Sequence, residues 1–341
     1  MKSVWITRHG GPEVLEVRET PDVEPKPGEV RLRIKASGLN FSDLSARQGM
    51  YPDAPPPPCV VGYEAVGVID KHGDGVGADV LPIGTRAVAM SHFGGHADMV
   101  CVPAQHALAL PDQLTFEQGA AIPVNYLTAY HMLFRVGQLR PGMRVLVHMA
   151  AGGVGIALLQ LCRTVPGVVV FGTASASKHD VIRSEGCTHP IDYHTIDYGA
   201  EVRRLTDDRG VDMVLDPLGG DDWRKGYRLL APAGMLIAFG LANSSGGEKR
   251  SLLRAAWQLL RAPWFTPFGL MNANRSVAGV NMGHMFGEAA MLRPEILAVL
   301  ELCRAGQLVP RVDSTFPFEH AADAHRRMHE RKNIGKVVLI P

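Results

Sequence analysis

The run Val145-Leu-Val-His-Met-Ala-Ala-Gly-Gly-Val-Gly-Ile-Ala-Leu-Leu-Gln-Leu161 constrains this chain more than any other stretch. Its apolar opening predicts a buried strand, its glycines a tight turn, and its last residues an amphipathic helix starting near Gly153. That order is the entry to a βα unit of the kind that binds dinucleotides. Gly152 lets the backbone approach a pyrophosphate, and Gly155 lets the helix lie close against its strand. The N–H groups at Gly153, Val154 and Gly155 have no partner inside the helix, and with the positive end of its dipole they face the phosphates. Ala150 stands where the usual G-x-G-x-x-G pattern has its first glycine, so the motif is less specific than the complete pattern.

Strands and helices alternate around this motif. Strands are predicted at 144–149, 168–173, 189–192, 212–216, 234–239 and 276–281, with helical segments between most of them. The alternation implies an α/β fold with a doubly wound parallel sheet of six strands. The first 125 residues are β-rich instead: Val30 to Lys35 alternates cleanly, and 59–69 and 85–89 are further strands. Pro27-Gly28, Pro55 to Pro58 and Gly73 to Gly77 punctuate them. Helices around 294–305 and 319–331 precede a late strand at 336–340. That strand suggests that both chain ends build one domain, with the nucleotide fold inserted between them.

A chain of 341 residues is long enough for two cores. Thirty-five basic against 34 acidic residues give no electrostatic reason to expect nucleic acid. The five cysteines are scattered without a CxxC pair, which argues against a disulfide framework or structural zinc and fits a reducing, cytoplasmic setting. Met1 to Arg8 has no apolar core of signal-peptide length, and no apolar run is long enough for a transmembrane helix.

Several further motifs carry a family resemblance. Gly38-Leu-Asn-Phe-Ser-Asp43, Arg47-Gln-Gly-Met-Tyr51, Gly62-Tyr-Glu64, Thr128-Ala-Tyr130 and Ala150-Ala-Gly-Gly-Val-Gly155 resemble the zinc-independent quinone oxidoreductases of the medium-chain dehydrogenase/reductase superfamily. Val124-Asn-Tyr126, Phe171 to His179, Thr188 to Thr195 and Asp216-Pro-Leu-Gly-Gly220 look like the branch of the synaptic-vesicle membrane protein homologues. The resemblance implies a GroES-like β-rich catalytic domain over 1–125 and 284–341 and a Rossmann NADP-binding domain over 126–283. It also implies a hydride transfer to a quinone or other conjugated carbonyl. Zinc-dependent relatives use two cysteines and a histidine where this chain has Asn40, Tyr63 and Val124. None of the three supplies a thiolate or imidazole, so no catalytic metal is expected. His92 and His96 read as solvated loop histidines.

An NAD-specific fold of this kind places a carboxylate about 20 residues beyond the glycine turn. Counting from Gly155 leads instead to Ser175, Ser177 and Lys178, whose hydroxyls and ammonium complement a 2′-phosphate, so NADPH is the expected cofactor. Leu218-Gly219 and Gly240-Leu241 follow predicted strands, on the carboxyl edge where ligands bind in open α/β sheets. The resemblance adds Tyr193 as a phosphate or adenine contact, Asn125 and Thr128 near the nicotinamide, and Asn333 and Lys336 closing over the cofactor. It places Asn40 and Tyr51 at the acceptor, where an amide and a phenol can donate to a carbonyl. Asp43 and Arg47 read as a supporting ion pair. A second enzymatic reading is a 2-enoyl-thioester reductase with Tyr51 as proton donor. A third is a nucleotide-sensing or lipid-binding protein with little turnover.

Within 249–275, Leu253, Trp257 and Leu260 share one helical face, with Arg254 and Arg261 beside it and Pro263 and Pro267 ending the helix. The segment either caps the substrate cleft or faces a lipid or a partner. The edge strand at 276–282 would be unsafe if left exposed, so a homodimer is expected.

Overall fold

The computed structural model describes residues 1–77, 80–245, 247–248 and 251–341. Lys249 and Arg250, the first residues of the basic apolar segment, lie outside the described residues. The chain opens with strands β1 (Lys2–Ile6), β2 (Leu15–Glu19) and β3 (Glu29–Leu39), then helix α1 (Phe41–Arg47). Strands β4 (Glu64–His72), β5 (Arg86–Met90), β6 (Met99–Pro103) and β7 (Ala107–Ala109) follow, then α2 (Phe116–Gly119) and α3 (Leu127–Tyr130). Next come β8 (Arg144–Val147), α4 (Gly153–Arg163), β9 (Val169–Ala174), α5 (His179–Glu185), β10 (His189–Asp192), α6 (Tyr198–Leu205), β11 (Val211–Asp216), α7 (Asp221–Arg228) and β12 (Leu230–Ala238). The chain closes with α8 (Leu252–Arg261), α9 (Pro267–Ala273), β13 (Ser276–Gly279), α10 (Ala289–Arg304), β14 (Val312–Pro317), α11 (Ala321–His329) and β15 (Lys336–Ile340).

These elements form two compact units. One comprises Met1–Leu127 and Gly283–Pro341 with a short piece at 247–248; the other comprises Thr128–Gly246 and Ser251–Met282. In the first, β14-β15-β3-β4-β5-β7 form a sheet, with β6 also paired to β3. The last strand, β15, lies antiparallel to β3, Val338 opposite Gly38. Val4, Leu39 and Leu44 from the amino end pack with Phe318, Val337 and Leu339 from the carboxyl end, so one core joins the two ends of the chain. A second cluster, Val30, Leu32, Ile34, Ile69 and Val102 among others, fills the interior of the sheet. The strand expected at 59–69 begins only at Glu64. Gly62, at φ 103°, turns the backbone out of extended geometry just before it.

The second unit carries a six-stranded sheet in the order β10-β9-β8-β11-β12-β13, parallel throughout. Val145, Leu146 and Val147 are all buried, the unbroken apolar pattern of a strand covered on both faces. Leu146, Phe171, Val214 and Leu236 pack against Tyr198 and Val202 of α6. At the sheet edge, Pro267 opens α9 rather than stopping a helix, because Thr266 caps it by accepting from Gly269 N–H and proline suits the first helical turn.

Candidate active site

Within the second unit, the carboxyl ends of β8, β9, β11 and β12 gather most of the expected nucleotide residues. Gly152 caps α4 in extended geometry, and its N–H donates to Met149 O at 2.8 Å. The first intrahelical bond runs from Ile156 N–H to Gly152 O, which leaves the N–H groups of Gly153, Val154 and Gly155 at the open end of an eleven-residue helix. A Cβ on Gly155 would lie 2.3 Å from Met149 O and 2.6 Å from Ala150 O, so only glycine lets α4 sit this close to its strand. The arrangement fits a pyrophosphate.

The turns after β11 and β12 meet. Gly219 has φ 83°, and a Cβ there would come within 2.6 Å of Leu241. Ala242 and Asn243 N–H groups donate to Pro217 O and Leu218 O at 2.8 and 3.0 Å. Leu218, Gly219, Gly240 and Leu241 thus form one rim. After β9, Ser175 opens a 3-10 turn over Ala176–Lys178, with its hydroxyl 3.5 Å from that of Ser177. Tyr193 follows β10 half-exposed, its ring 4.2 Å from that of His194. Strand register also brings a carboxylate here that counting along the chain missed: Asp192 pairs with Ala174. Its oxygens accept from His194 N–H and the Thr195 hydroxyl, and the first of these bonds lowers its pKa. Thr128 is buried in α3.

In the first unit, Asn40, Glu64 and Lys336 form a buried polar network, with Lys336 2% and Glu64 0% exposed. Lys336 Nζ donates to Asn40 Oδ1 at 2.6 Å and pairs with Glu64 Oε1. Asn40 Nδ2 donates to Glu64 Oε1 at 2.9 Å and to Gly38 O at 3.4 Å. An ammonium at one end of the amide and a carboxylate at the other permit only this orientation. Glu64 Oε2 accepts from Val124 N–H at 2.8 Å. Both ends of the Asn40 amide are therefore engaged by protein groups, and Lys336 is not the solvated surface lysine its type suggests. The signal for Glu64 is a carboxylate opening the apolar run Ala65-Val-Gly-Val-Ile69, which needs a buried partner.

Tyr51 is half-buried, packed edge to face on Tyr63 with centroids 6.1 Å apart. Burial raises its phenol pKa above the ordinary 10.0, so it stays protonated at neutral pH. Asn125 is buried in the π-helical turn Ile122–Tyr126. Asn333 lies at the turn into β15 and donates to Gly335 O at 3.0 Å.

Two sequence expectations are corrected. Asp43 and Arg47 do not pair. Asp43 caps α1, accepting from Asn40 N–H at 2.8 Å and Gly62 N–H at 3.1 Å, whereas Arg47 donates to Gly10 O at 3.0 Å and contacts His329. Arg47 is enclosed, and burial lowers its pKa to about 10. His96 is not a solvated loop histidine either: it is 1% exposed, with Nε2 3.8 Å from Asp43 Oδ2 and 3.4 Å from Gly38 O. His92 is the exposed member of the two. No group of three potential metal ligands occurs among the described residues, and no helix there is long and apolar enough to cross a membrane.

Comparison with known proteins agrees with this architecture. Residues 26–112 match the alcohol dehydrogenase GroES-like domain, and residues 186–339 match the family described as zinc-binding dehydrogenase. The synaptic vesicle membrane protein VAT-1 homolog of Rattus norvegicus is 46% identical over 100% of this chain and 84% of its own length. The crystal structure of the human VAT-1 homolog-like protein superposes with a TM-score of 0.87 at 37% identity, covering 100% of this chain and 98% of that one. The Escherichia coli quinone oxidoreductase complexed with NADPH gives a TM-score of 0.87 at 28% identity, with both chains fully covered. With an α/β fold that joins a GroES-like unit to a parallel-sheet unit, and 46% identity to a VAT-1 homolog along its whole length, this chain belongs to the medium-chain dehydrogenase/reductase superfamily, among the VAT-1 homologues.

Proposed function

We propose that this protein is an NADPH-dependent oxidoreductase that reduces a quinone or other conjugated carbonyl without a catalytic metal. The observation that carries the proposal is the α4 entry, where a glycine that tolerates no Cβ holds three helix-end N–H groups open to an anion. The E. coli quinone oxidoreductase crystallised with NADPH supports the choice of cofactor. In the second unit, Gly152, Gly153, Val154 and Gly155 take the pyrophosphate, and Ser175, Ser177 and Lys178 take the 2′-phosphate. Tyr193 lies against the adenine end, while Leu218, Gly219, Gly240, Leu241 and Thr128 take the nicotinamide and its ribose. When bound, NADPH supplies a hydride.

The first unit supplies the acceptor's hydrogen bonds. Tyr51 donates to the carbonyl oxygen, and its phenol or water delivers the proton that completes the reduction. Asn40 walls this region, but its amide is held by Lys336 and Glu64, so the donor role passes to Tyr51. Lys336 supports Asn40 rather than reaching for the cofactor, and Asn125 and Asn333 remain with the cofactor. Asn40, Tyr63 and Val124 give a zinc ion no thiolate or imidazole; the Asn40 amide is engaged by Lys336 and Glu64, and the Tyr63 ring packs against Tyr51 and Phe93. NADPH consumption measured against quinones, enones and enoyl thioesters tests the acceptor class. Quinones and enones are expected to turn over; turnover of enoyl thioesters alone would replace this reading with the reductase one.

A homodimer is part of the same proposal. Strand β13 ends the six-stranded sheet, and the helices leading to it turn apolar side chains outward. Leu253 of α8 is 87% exposed and Trp264, in the connection after it, 96%, whereas Ala255 and Gln258 are the half-buried positions of α8. A second copy adding its own edge and covering this face accounts for both features.

A further inference from the structure

Three side chains beneath the glycine turn form a buried polar chain. His148 follows β8, Thr173 lies in β9 and Asp216 ends β11; all three are buried, Asp216 completely. The Thr173 hydroxyl oxygen accepts from Met149 N–H at 3.3 Å and lies 3.1 Å from His148 Nδ1. Asp216 Oδ1 accepts from Leu218 N–H at 2.6 Å and from Gly219 N–H at 3.2 Å. His148 Nε2 and Asp216 Oδ2 stand 4.0 Å apart, and neither has another hydrogen-bond partner among the described residues. The gap is too short to hold a water between them and within reach of a small ring rotation. At one end, Met149 sits at φ 52°, a conformation non-glycine residues seldom adopt.

Counting donors and acceptors gives this chain two arrangements. Because Thr173 Oγ1 takes the Met149 N–H, its own proton goes to His148 Nδ1. The imidazole proton is then on Nε2, facing the carboxylate of ionised Asp216. If Asp216 takes a proton from solvent onto Oδ2, that oxygen becomes a donor and Nε2 must become the acceptor. The imidazole proton then sits on Nδ1 and is donated to Thr173 Oγ1, whose own proton turns away from the ring and gives up its acceptor there. The ring is neutral in both states, and the pair gains one proton in passing from the first to the second.

The surroundings favour this exchange near neutrality. Burial raises the Asp216 pKa to about 7 against the pull of the Leu218 and Gly219 N–H groups, with Asp222 adding to the rise. Burial lowers His148 to about 4, with Lys225 adding to the fall and Asp222 opposing it. Of the groups packed around the pair, Asp222 on α7 accepts from the Tyr198 hydroxyl at 2.7 Å and from Asn243 Nδ2 at 2.8 Å. Tyr198 on α6 meets the His148 ring edge to face at 4.7 Å. Lys225 on α7 lies over the Tyr198 ring and pairs with Asp197 at 2.6 Å.

We infer that His148 and Asp216 are a proton-linked positioning pair, coupling the turn at Met149 to the turn at Leu218-Gly219 so that cofactor affinity follows the protonation of Asp216. The inference rests on reading those two turns as the NADPH-binding edge. An ionised carboxylate holds the Leu218 and Gly219 N–H groups roughly twice as strongly as a neutral acid does, so the rim is most firmly set when Asp216 is charged. NADPH therefore binds more tightly as pH rises.

The test has two arms. In ligand-free protein with 15N-histidine, nitrogen shifts report the His148 tautomer, and His148→Gln assigns its signals. The Nε2–H form is expected at pH 8 and the Nδ1–H form at pH 6; one tautomer throughout, or a doubly protonated ring, overturns the pair. Thr173→Val removes the acceptor for the Nδ1–H form and is expected to hold the Nε2–H form at both pH values; an unchanged switch in that variant also counts against the chain. In the second arm, NADPH dissociation constants at pH 6 and pH 8 are compared between wild type and Asp216→Asn, so that titration of the 2′-phosphate cancels. Wild type is expected to change about fivefold more than the variant, at the lower end of ordinary coupling. Equal changes overturn the coupling. Failure of wild type to bind NADPH at either pH would refute the proposed function, while the tautomer arm still decides the pair.

Discussion

Burial keeps the Tyr51 phenol protonated, and what that proton is worth depends on the acceptor. A quinone yields a stabilised hydroquinone anion that water can protonate, so Tyr51→Phe is expected to cost one hydrogen bond, about 0.5–1.5 kcal/mol or up to roughly tenfold in kcat. An enoyl thioester needs a positioned acid, where general-acid catalysis contributes about 10²–10⁴-fold. A loss beyond about a hundredfold confined to enoyl thioesters would defeat the quinone reading. Lys178 separates the cofactors in the same manner: Lys178→Ala is expected to weaken NADPH by about tenfold, about 1.4 kcal/mol, and to leave NADH nearly unchanged. Equal losses in calorimetric titrations would remove Lys178 from the phosphate site. At this scale the sequence identified chemical types better than partners. Asn40 was legible as a polar residue of the segment after β3, but its saturation by Glu64 and Lys336 depends on residues 24 and 296 positions away, a closure that the β3–β4 and β15–β3 pairings create. His96 and Arg47 were misjudged for the same reason, since burial of a polar side chain comes from elements distant in sequence.

The elements were more legible, because strand and helix periodicities are local. Gly155 illustrates how a local motif fixes packing: Gly155→Ala would drive a Cβ into backbone atoms of Met149 and Ala150, which cannot swing aside as a side chain can. Overpacking of this kind costs about 1–3 kcal/mol, so the urea midpoint is expected to fall; an unchanged midpoint would mean that α4 is less tightly seated than its contacts indicate. Helix α8 was recognised from the spacing of Leu253, Trp257 and Leu260, yet periodicity alone cannot say which way an apolar stripe points. Here Arg254 donates to Asn243 O at 2.8 Å and Arg261 pairs with Asp221, fastening the polar flank to the protein and leaving the apolar stripe outward.

For the whole molecule, the exposed stripe and the edge of β13, which no strand pairs among the described residues, bear on assembly. Replacing Leu253, Leu260 and Trp264 by serine is expected to change monomer stability by no more than about 0.5 kcal/mol per substitution, as for other surface changes, and to shift a dimer toward monomer in sedimentation at micromolar concentration. A wild-type monomer under those conditions contradicts the dimer, and loss of vesicle binding in its place would assign the stripe to lipid. The broad architecture was legible because the alternation of strands and helices and the late return of β15 both leave marks in sequence. The order of the strands, and the pairing that puts Asp192 beside Ala174, do not. The central claim, metal-free reduction of a conjugated carbonyl by NADPH, is tested most directly by NADPH consumption with a quinone acceptor, using chelator-treated protein whose metal content is measured in the same sample. Consumption that requires both protein and quinone, unchanged by the chelator and without stoichiometric zinc, is the expected result. No consumption with any conjugated carbonyl, or activity that tracks one zinc per chain, would contradict it.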